Sequence, residues 1–257
     1  MRILLTNDDG VHAPGLALLE EFARTLSDDV WICAPAEEQS GAGHALTLHA
    51  PVRLREHGEK RFSVTGTPSD AVNLALRKLF PDKRPDLVLS GINAGENLAD
   101  DLTYSGTVSA AMEAALAGIP AIALSQSQRS QAGLIGGKRF DVARAWAGKV
   151  LAPLVGAQSA KRSLININFP DCAAEAVRGI RVVRQGFHDY ERGTLVEGTD
   201  PRGRKYYWFG LEEMEHTLDH GTDLEAIAEN YVSVTPLQLD LTDHAAIGLL
   251  AERFAQE

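Results

Sequence analysis

Arg2-Ile3-Leu4-Leu5-Thr6-Asn7-Asp8-Asp9-Gly10 is the stretch whose reading decides the fold. Ile3 to Thr6 is a short apolar run of β character. Behind its polar turn come Pro14 and the stripe Leu16, Leu19, Phe22, Ala23 and Leu26. Proline at a first helical position, with apolar residues three and four apart, predicts a helix. Val30-Trp31-Ile32-Cys33-Ala34 is a second, near-continuous apolar run. Strand, helix and strand with short connections form a βαβ unit. Continuous rather than alternating hydrophobicity predicts a parallel sheet covered on both faces. Asp8 and Asp9 then stand at the end of a buried strand, where adjacent like charges resist joint ionisation unless a cation or strong donors offset them. Two readings follow: a divalent metal site at the mouth of the sheet, or an Asx-turn made of ordinary loop residues.

The same rhythm continues outward. His44 to His49, Val52 to Arg55 and Arg61 to Thr65 read as short strands. Thr67 as N-cap, Pro68 at the first helical position and Asp70 at the third open a helix that buries Ala71, Val72, Ala75, Leu76 and Leu79. Asp86 to Ser90 is the next strand, followed by a polar loop from Gly91 to Tyr104 that is long for a compact α/β domain. Ser105-Gly106-Thr107 opens an alanine-rich helix ending at Gly118. Ala121 to Leu124 reads as a strand, Phe140 to Val155 as a helix and Leu164 to Ile167 as a strand. The pattern is a doubly wound α/β sheet.

After Pro170 the rhythm changes. Ile180 to Phe187 and Tyr206 to Phe209 read as strands of a hairpin-type extension, with Glu191 to Arg204 as its loop. Thr222 and Glu225 form a capping box for a short helix. Tyr231 to Asp240 alternates like a half-buried strand, with Pro236 at an edge or bulge. Thr242 caps a final helix carrying Ile247, Leu250, Ala251 and Phe254. One domain over 1–257 is expected, with a core at 1–170 and an extension with a terminal helix at 171–257.

Composition limits the function. The chain has 257 residues, 44% hydrophobic, and a formal net charge of −10. Acidic balance without basic runs argues against holding a long nucleic acid by its phosphates. Cys33 and Cys172 are isolated and give neither a disulfide framework nor a zinc signature. The apolar run before Asn7 is too short for a signal-peptide core or a membrane span, so a cytoplasmic protein is expected.

Ligands of open α/β sheets bind beyond the carboxyl ends of the strands. Here three such loops concentrate oxygen donors: Asp8 and Asp9, then Ser40, then Asn93 and Asn97. Carboxylate, amide and hydroxyl oxygens suit Mg²⁺ or Mn²⁺. No H-E-x-x-H pattern is present to favour a zinc hydrolase. Ser105-Gly106-Thr107 at a helix start supplies free N–H groups and hydroxyls for an anion, although Ser105 and Thr107 equally suit plain capping. A metal cup beside a helix N-terminus suits a phosphoryl group. A dinucleotide fold is disfavoured because the first strand leads to Asn-Asp-Asp-Gly rather than a glycine fingerprint, and Gly133 to Lys138 is too short for a P-loop.

With these residues placed, the chain closely resembles the SurE family of stationary-phase survival nucleotidases. The resemblance runs from Met1 to Gly15 through Ser40-Gly41, Gly66-Thr67-Pro68, Ser90 to Gly95 and Tyr104 to Val108. It ends in Gly221-Thr222-Asp223 and Tyr231 to Leu237. It implies a Rossmann-like three-layer αβα core with a C-terminal β-hairpin and helix extension, exchanged between subunits of a dimer or tetramer. It implies a metal-dependent 5′-nucleotidase acting on nucleoside monophosphates, in some relatives also on 3′-monophosphates and short polyphosphate. By motif position one divalent ion, Mg²⁺ or Mn²⁺, falls to Asp8, Asp9, Ser40 and Asn93, and phosphate to Asn97, Ser105, Gly106 and Thr107. The loop before Ser40 departs from the family's frequent basic residue with Glu37-Glu38-Gln39, which bears on polyanionic substrates.

The expected chemistry is in-line attack by a metal-activated water, with Asp8 or Asp9 helping to take its proton. The competing nucleophile is one of these aspartates itself, giving an aspartyl-phosphate on a non-nucleotide ester. His12, His44 and His188 are candidate acids for the leaving group, and Tyr104 a candidate base stacker. A metal- or nucleotide-binding module without turnover is the reading from a different class.

Overall fold

The computed structural model describes residues 1–128, 140–157, 160–188, 194–210 and 220–255. Its centre is the sheet that the opening stretch predicts. β1 (Arg2–Thr6) lies parallel to β2 (Asp29–Pro35) on one side and to β5 (Leu87–Ala94) on the other. Outside β2 come β4 (Arg61–Val64), parallel, and β3 (Leu54–Glu56), antiparallel. Outside β5 come β6 (Ala121–Gln126) and β7 (Ser163–Phe169), both parallel. β11 (Tyr231–Gln238) then pairs antiparallel with β7, and β8 (Gly179–Val182) closes that edge in parallel with β11. Among the described residues the order is β3-β4-β2-β1-β5-β6-β7-β11-β8. From β1 the chain winds outward through β2, then crosses back to β5. The topological switch point therefore lies between β1 and β5, where α/β folds open their ligand crevice.

Two helical layers complete the fold. α1 (Pro14–Leu26) and α4 (Asp141–Leu151) cover one face, burying Leu16, Leu19, Ala23, Val142, Ala147 and Val150 against Ile3, Leu5, Leu89 and Ile122. α2 (Pro68–Leu74), which runs on as a π-helical turn through Leu79, and α3 (Gly106–Leu116) cover the other. There Val72, Ala75, Val108, Ala111 and Ala114 pack on Leu4, Val88 and Ala121. The small side chains of α3 let it lie close to the sheet, and that closeness sets the position of its N-terminus. α2 begins as the sequence predicts: the Thr67 hydroxyl accepts from the Asp70 N–H while the Asp70 carboxylate accepts from the Thr67 N–H at 2.9 Å.

Several expectations change. His44 to His49 forms no strand. Its polar groups bond the capping residues of α2 instead of a ladder: the Thr47 hydroxyl donates to Asp70 and the Thr67 hydroxyl to the Ala45 carbonyl. The Ile180–Phe187 run is not half of a hairpin, because β8 belongs to the main sheet. The hairpin is β9 (Thr194–Thr199) with β10 (Lys205–Gly210), so β9 occupies part of what reads as loop; 191–193 lie outside the described residues. Asp243 rather than Thr242 caps α6 (His244–Phe254), accepting from the Ala245 and Ala246 N–H groups. The predicted Phe140–Val155 helix is regular only over α4. At α5 (Asp223–Ala228) Thr222 caps Glu225 as expected, but the Glu225 carboxylate reaches the Gly221 N–H, one residue short of a reciprocal box. Pro236 sits on β11 beyond the residues that β8 covers, where its missing N–H costs no ladder bond to that neighbour.

Candidate metal and phosphate site

The turn after β1 divides its four residues between the two readings of the sequence. Asn7 makes the Asx-type closure: its side-chain amide donates to the Gly10 carbonyl at 3.0 Å, and Gly10 adopts φ +102°, a conformation suited to glycine. Asp8 and Asp9 are left to face the crevice. Asp8 is only 4% exposed, whereas Asp9 is half-buried. Burial is the largest influence on Asp8, and with the neighbouring Asp9 charge it pushes the carboxyl up to about 6, against the Thr107 hydrogen bond that pulls it down. A carboxylate held there at neutral pH gains from a cation.

The loop after β2 and the end of β5 tie to this turn through main-chain N–H groups. The Gln39 N–H donates to the Asp8 carbonyl at 2.8 Å and anchors the loop that carries Ser40. Ser40 is exposed, and its hydroxyl donates to the Glu38 carboxylate at 2.9 Å. β5 runs four residues past the predicted Ser90, with a register shift against β6 between Ser90 and Asn93. Asn93 follows that irregularity and is half-buried. Its amide nitrogen donates to the Gly95 carbonyl at 2.9 Å, and Asp9 accepts from the Ala94 N–H at 3.3 Å.

The donor chemistry fits a hard divalent ion. Two adjacent carboxylates, one of them raised by burial, stand among neutral amide and hydroxyl oxygens. Among the described residues no three His, Cys, Asp or Glu side chains gather in a way that could hold a metal, so neutral oxygens would complete the ligand set.

α3 meets this cup end-on. Ser105 is its N-cap, accepting from the Val108 N–H at 3.1 Å. The Thr107 hydroxyl donates to the Asp8 carboxylate. Gly106 is the point of closest approach: a Cβ there would lie 2.7 Å from Asp8 Cβ and 2.9 Å from Asp8 Oδ2. Of the four residues expected at phosphate, the three at the helix start divide their tasks: Ser105 caps, Thr107 orients Asp8 and Gly106 permits the approach.

Asn97 is buried and held from inside the sheet. Its N–H donates to Asn168 Oδ1 at 2.8 Å, its carbonyl accepts from Asn166 and Asn168, and its side-chain nitrogen donates to Ser125 at 2.7 Å. Asp223, fully buried at the start of α5, accepts from the N–H groups of Ala99, Gly186 and Leu224 and fixes the next part of the same loop. The sequence reading passed over Asn166 and Asn168. Their signal was visible: two amides at a spacing of two in an otherwise apolar strand place polar groups on one buried face.

The histidines are spread. His12 is exposed and stacks edge-on against His57, with ring centroids 5.3 Å apart. His44 pairs with Glu113 at 2.6 Å, and His188 lies 3.8 Å from both Asp100 and Asp101. Tyr104 is 59% exposed beside Ser105, where a flat ligand could reach it.

Comparison with known proteins gives the family and the fold. Residues 3–192 match the family model described as Survival protein SurE. The chain is 65% identical to the 5′-nucleotidase SurE of Erythrobacter litoralis over 99% of this chain and 100% of the relative. It is 58% identical to that of Rhizorhabdus wittichii, over 96% and 97%. The crystal structure of the SurE protein from Aquifex aeolicus superposes with a TM-score of 0.84 at 37% identity, covering 100% of both chains.

Proposed function

The chain belongs to the SurE family, and from that premise we propose that it is a metal-dependent 5′-nucleotidase, converting nucleoside 5′-monophosphates to nucleoside and phosphate. The observation that carries this reading is the meeting of the Asp8-Asp9 pair with the N-terminus of α3 at the switch point of the sheet. Anionic donors for a cation and N–H groups for an anion rarely stand so close unless both bind together.

Asp8, Asp9, Ser40 and Asn93 would hold one divalent ion, Mg²⁺ or Mn²⁺. When bound, the ion supplies Lewis acidity toward the phosphoryl oxygens. The chain's own part is positional and electrostatic. Thr107 holds Asp8, and the Ala94 N–H holds Asp9. The dipole of α3 at its N-terminus would favour the growing negative charge on the phosphoryl group. Asn97 borders the same crevice, fixed by Asn166 and Asn168. Asp8, oriented by Thr107, would help to take a proton from the attacking water. Tyr104 stands where the nucleoside half would emerge. Glu38 beside Ser40 adds negative charge at the rim, which favours short monoesters over polyphosphate.

The oligomer is part of the proposal. α6 buries none of its residues and exposes Ile247, Leu249, Leu250 and Phe254, and the β9–β10 hairpin exposes Leu195, Val196, Tyr206, Tyr207 and Trp208. Apolar surface of that extent on the C-terminal arm supports a homodimer or homotetramer assembled through it. No described helix is long and apolar enough to cross a membrane, and the acidic chain is taken as cytoplasmic.

The test is release of inorganic phosphate from AMP and GMP by the purified protein with Mn²⁺ or Mg²⁺, alongside chelated controls. Metal-dependent release supports the reading. Binding of nucleotide without turnover under every metal would assign the chain to a sensing module instead.

A further inference from the structure

The sheet face beneath α3 changes character row by row. Strand register aligns Leu4, Val88, Ala121, Leu164 and Leu237 as an apolar row in contact with the alanines of α3. Two residues nearer the crevice, the next row reads Thr6, Ser90, Ala123, Asn166 and Thr235. One step further stand Ser125, Asn168 and Ser233, the row that holds Asn97. The middle row spans five strands, and all five residues are 0% exposed. Among the described residues Thr6 Oγ1, Ser90 Oγ, Asn166 Oδ1 and Thr235 Oγ1 have no hydrogen-bond partner, nor has Ser233 Oγ in the next row. Buried polar atoms are nearly always paired, with protein or with ordered water.

The surroundings decide which. The layer above β5, β6 and β7 is α3, whose sheet-facing residues include Ala110, Ala111 and Ala114, and α5 lies against β11. The α3 hydroxyl at Ser109 is already committed to the Ser105 carbonyl at 2.6 Å. Ala123 at the centre of the row and these alanines offer the four oxygens no polar side-chain partner. The row contains no carboxylate, and three of its four free oxygens are hydroxyls able to donate as well as accept. That chemistry suits a neutral ligand with two donors and two acceptors, which is water.

We propose that this row is an internal hydration site: a line of ordered water molecules beneath α3, bonded to Thr6, Ser90, Asn166 and Thr235, with Ser233 at its end. The waters fix the side-chain amide of Asn166, which donates to the Asn97 carbonyl at 2.8 Å. They thereby position Asn97 from behind, on the side away from bulk solvent. This also gives the polar residues of the Tyr231–Leu237 motif a task that burial alone does not explain. Asn166, Ser233 and Thr235 are positioning residues in this scheme, acting through Asn97. That second step rests on the nucleotidase reading; the hydration itself does not.

The test has two arms on the full-length protein. A crystal structure near atomic resolution reads the waters directly: ordered water within hydrogen-bonding distance of at least three of the named oxygens is expected. A dry row with the hydroxyls turned onto main-chain carbonyls overturns the proposal, and so does a cation there at shorter contacts. The kinetic arm compares Thr235→Val, which removes the hydroxyl at nearly constant volume, with Thr235→Ser, which keeps it. Thr235→Val is expected to raise KM for a nucleoside monophosphate roughly three- to tenfold, the loss of one buried hydrogen bond, with kcat nearly unchanged and Thr235→Ser close to wild type. Equal KM for Thr235→Val and wild type, or an equally impaired Thr235→Ser, overturns the positioning role. If Thr235→Val does not fold, Ser233→Ala takes its place with the same expected direction. A protein without nucleotidase activity would leave the density arm to decide the hydration on its own.

Discussion

Replacing Asp8 by asparagine should abolish turnover and yet stabilise the metal-free protein. Burial raises the Asp8 carboxyl from its ordinary 3.8 to about 6. Its folded pKa thus lies above the unfolded value, so folding takes up a proton between the two. The metal-free fold is most stable below the unfolded value, loses stability as pH rises through the folded value, and levels off above it. Two pKa units at 1.36 kcal/mol each put the penalty at neutral pH at about 3 kcal/mol, an upper bound because Asp8 and Asp9 share their charge. Asp8→Asn is isosteric, and its side-chain oxygen can still accept from the Thr107 hydroxyl. Removing the charge therefore recovers most of the penalty. At about 2–4 °C per kcal/mol for a chain of this size, the metal-free midpoint should rise by several degrees at pH 8. The gain should shrink as pH falls and vanish near pH 4. Added Mn²⁺ should raise the wild-type midpoint and leave Asp8→Asn unmoved. Scanning calorimetry of both proteins across this range, with chelator and with Mn²⁺, measures all of it. A chelated Asp8→Asn less stable than wild type at pH 8 would refute the account of Asp8 as a strained anion waiting for a cation.

Three further outcomes follow from the same cup. Gly106→Ala puts a Cβ 2.7 Å from Asp8 Cβ and 3.0 Å from Pro68 Cγ; an overpacking cost of about 1–3 kcal/mol is expected in chemical denaturation, with a larger loss of metal-dependent activity. Thr107→Val removes the hydroxyl that lowers the Asp8 pKa. Mn²⁺ binding followed by calorimetry should then set in at higher pH than in wild type, and an unchanged onset would show that Thr107 does not act on Asp8. Chelated protein should fail to bind AMP in equilibrium dialysis, because the phosphate would meet two carboxylates without a cation between them.

The parallel strands of the sheet were legible because strands buried on both faces announce themselves as continuous apolar runs. β1, β2, β6 and β7 all lie where those runs fall. What escaped was non-local. His44 to His49 has the alternation of a strand, but nothing in its own sequence says that Asp70 and Thr67 will take its hydrogen bonds. β8 is four residues long and pairs with a strand some fifty positions later, a partnership no local signal encodes. The site was legible in its donors for the same reason that it was ambiguous in its roles. Residue type names an oxygen, but only packing shows that Ser105 is spent on capping and that Asn97 is held from within the sheet.

The site follows from the way the sheet is wound. Crossing from β4 back to β5 opens a crevice beside β1, and the turn after β1 fills it with two carboxylates. A fold gains nothing from those charges. Asp8 is raised by burial, and a Cβ at Gly106 would collide with it. The raised carboxyl weakens the metal-free protein and a divalent cation there would relieve it, while the glycine only permits the close approach. The phosphate end has the opposite sign and a firm scaffold: α3 is held close by its alanines, and Asn97 by two asparagines of β7. The electrostatic debt thus sits on the metal half and the rigidity on the phosphate half. A cation completing the first would create the field the second needs, so metal is predicted to bind before nucleotide.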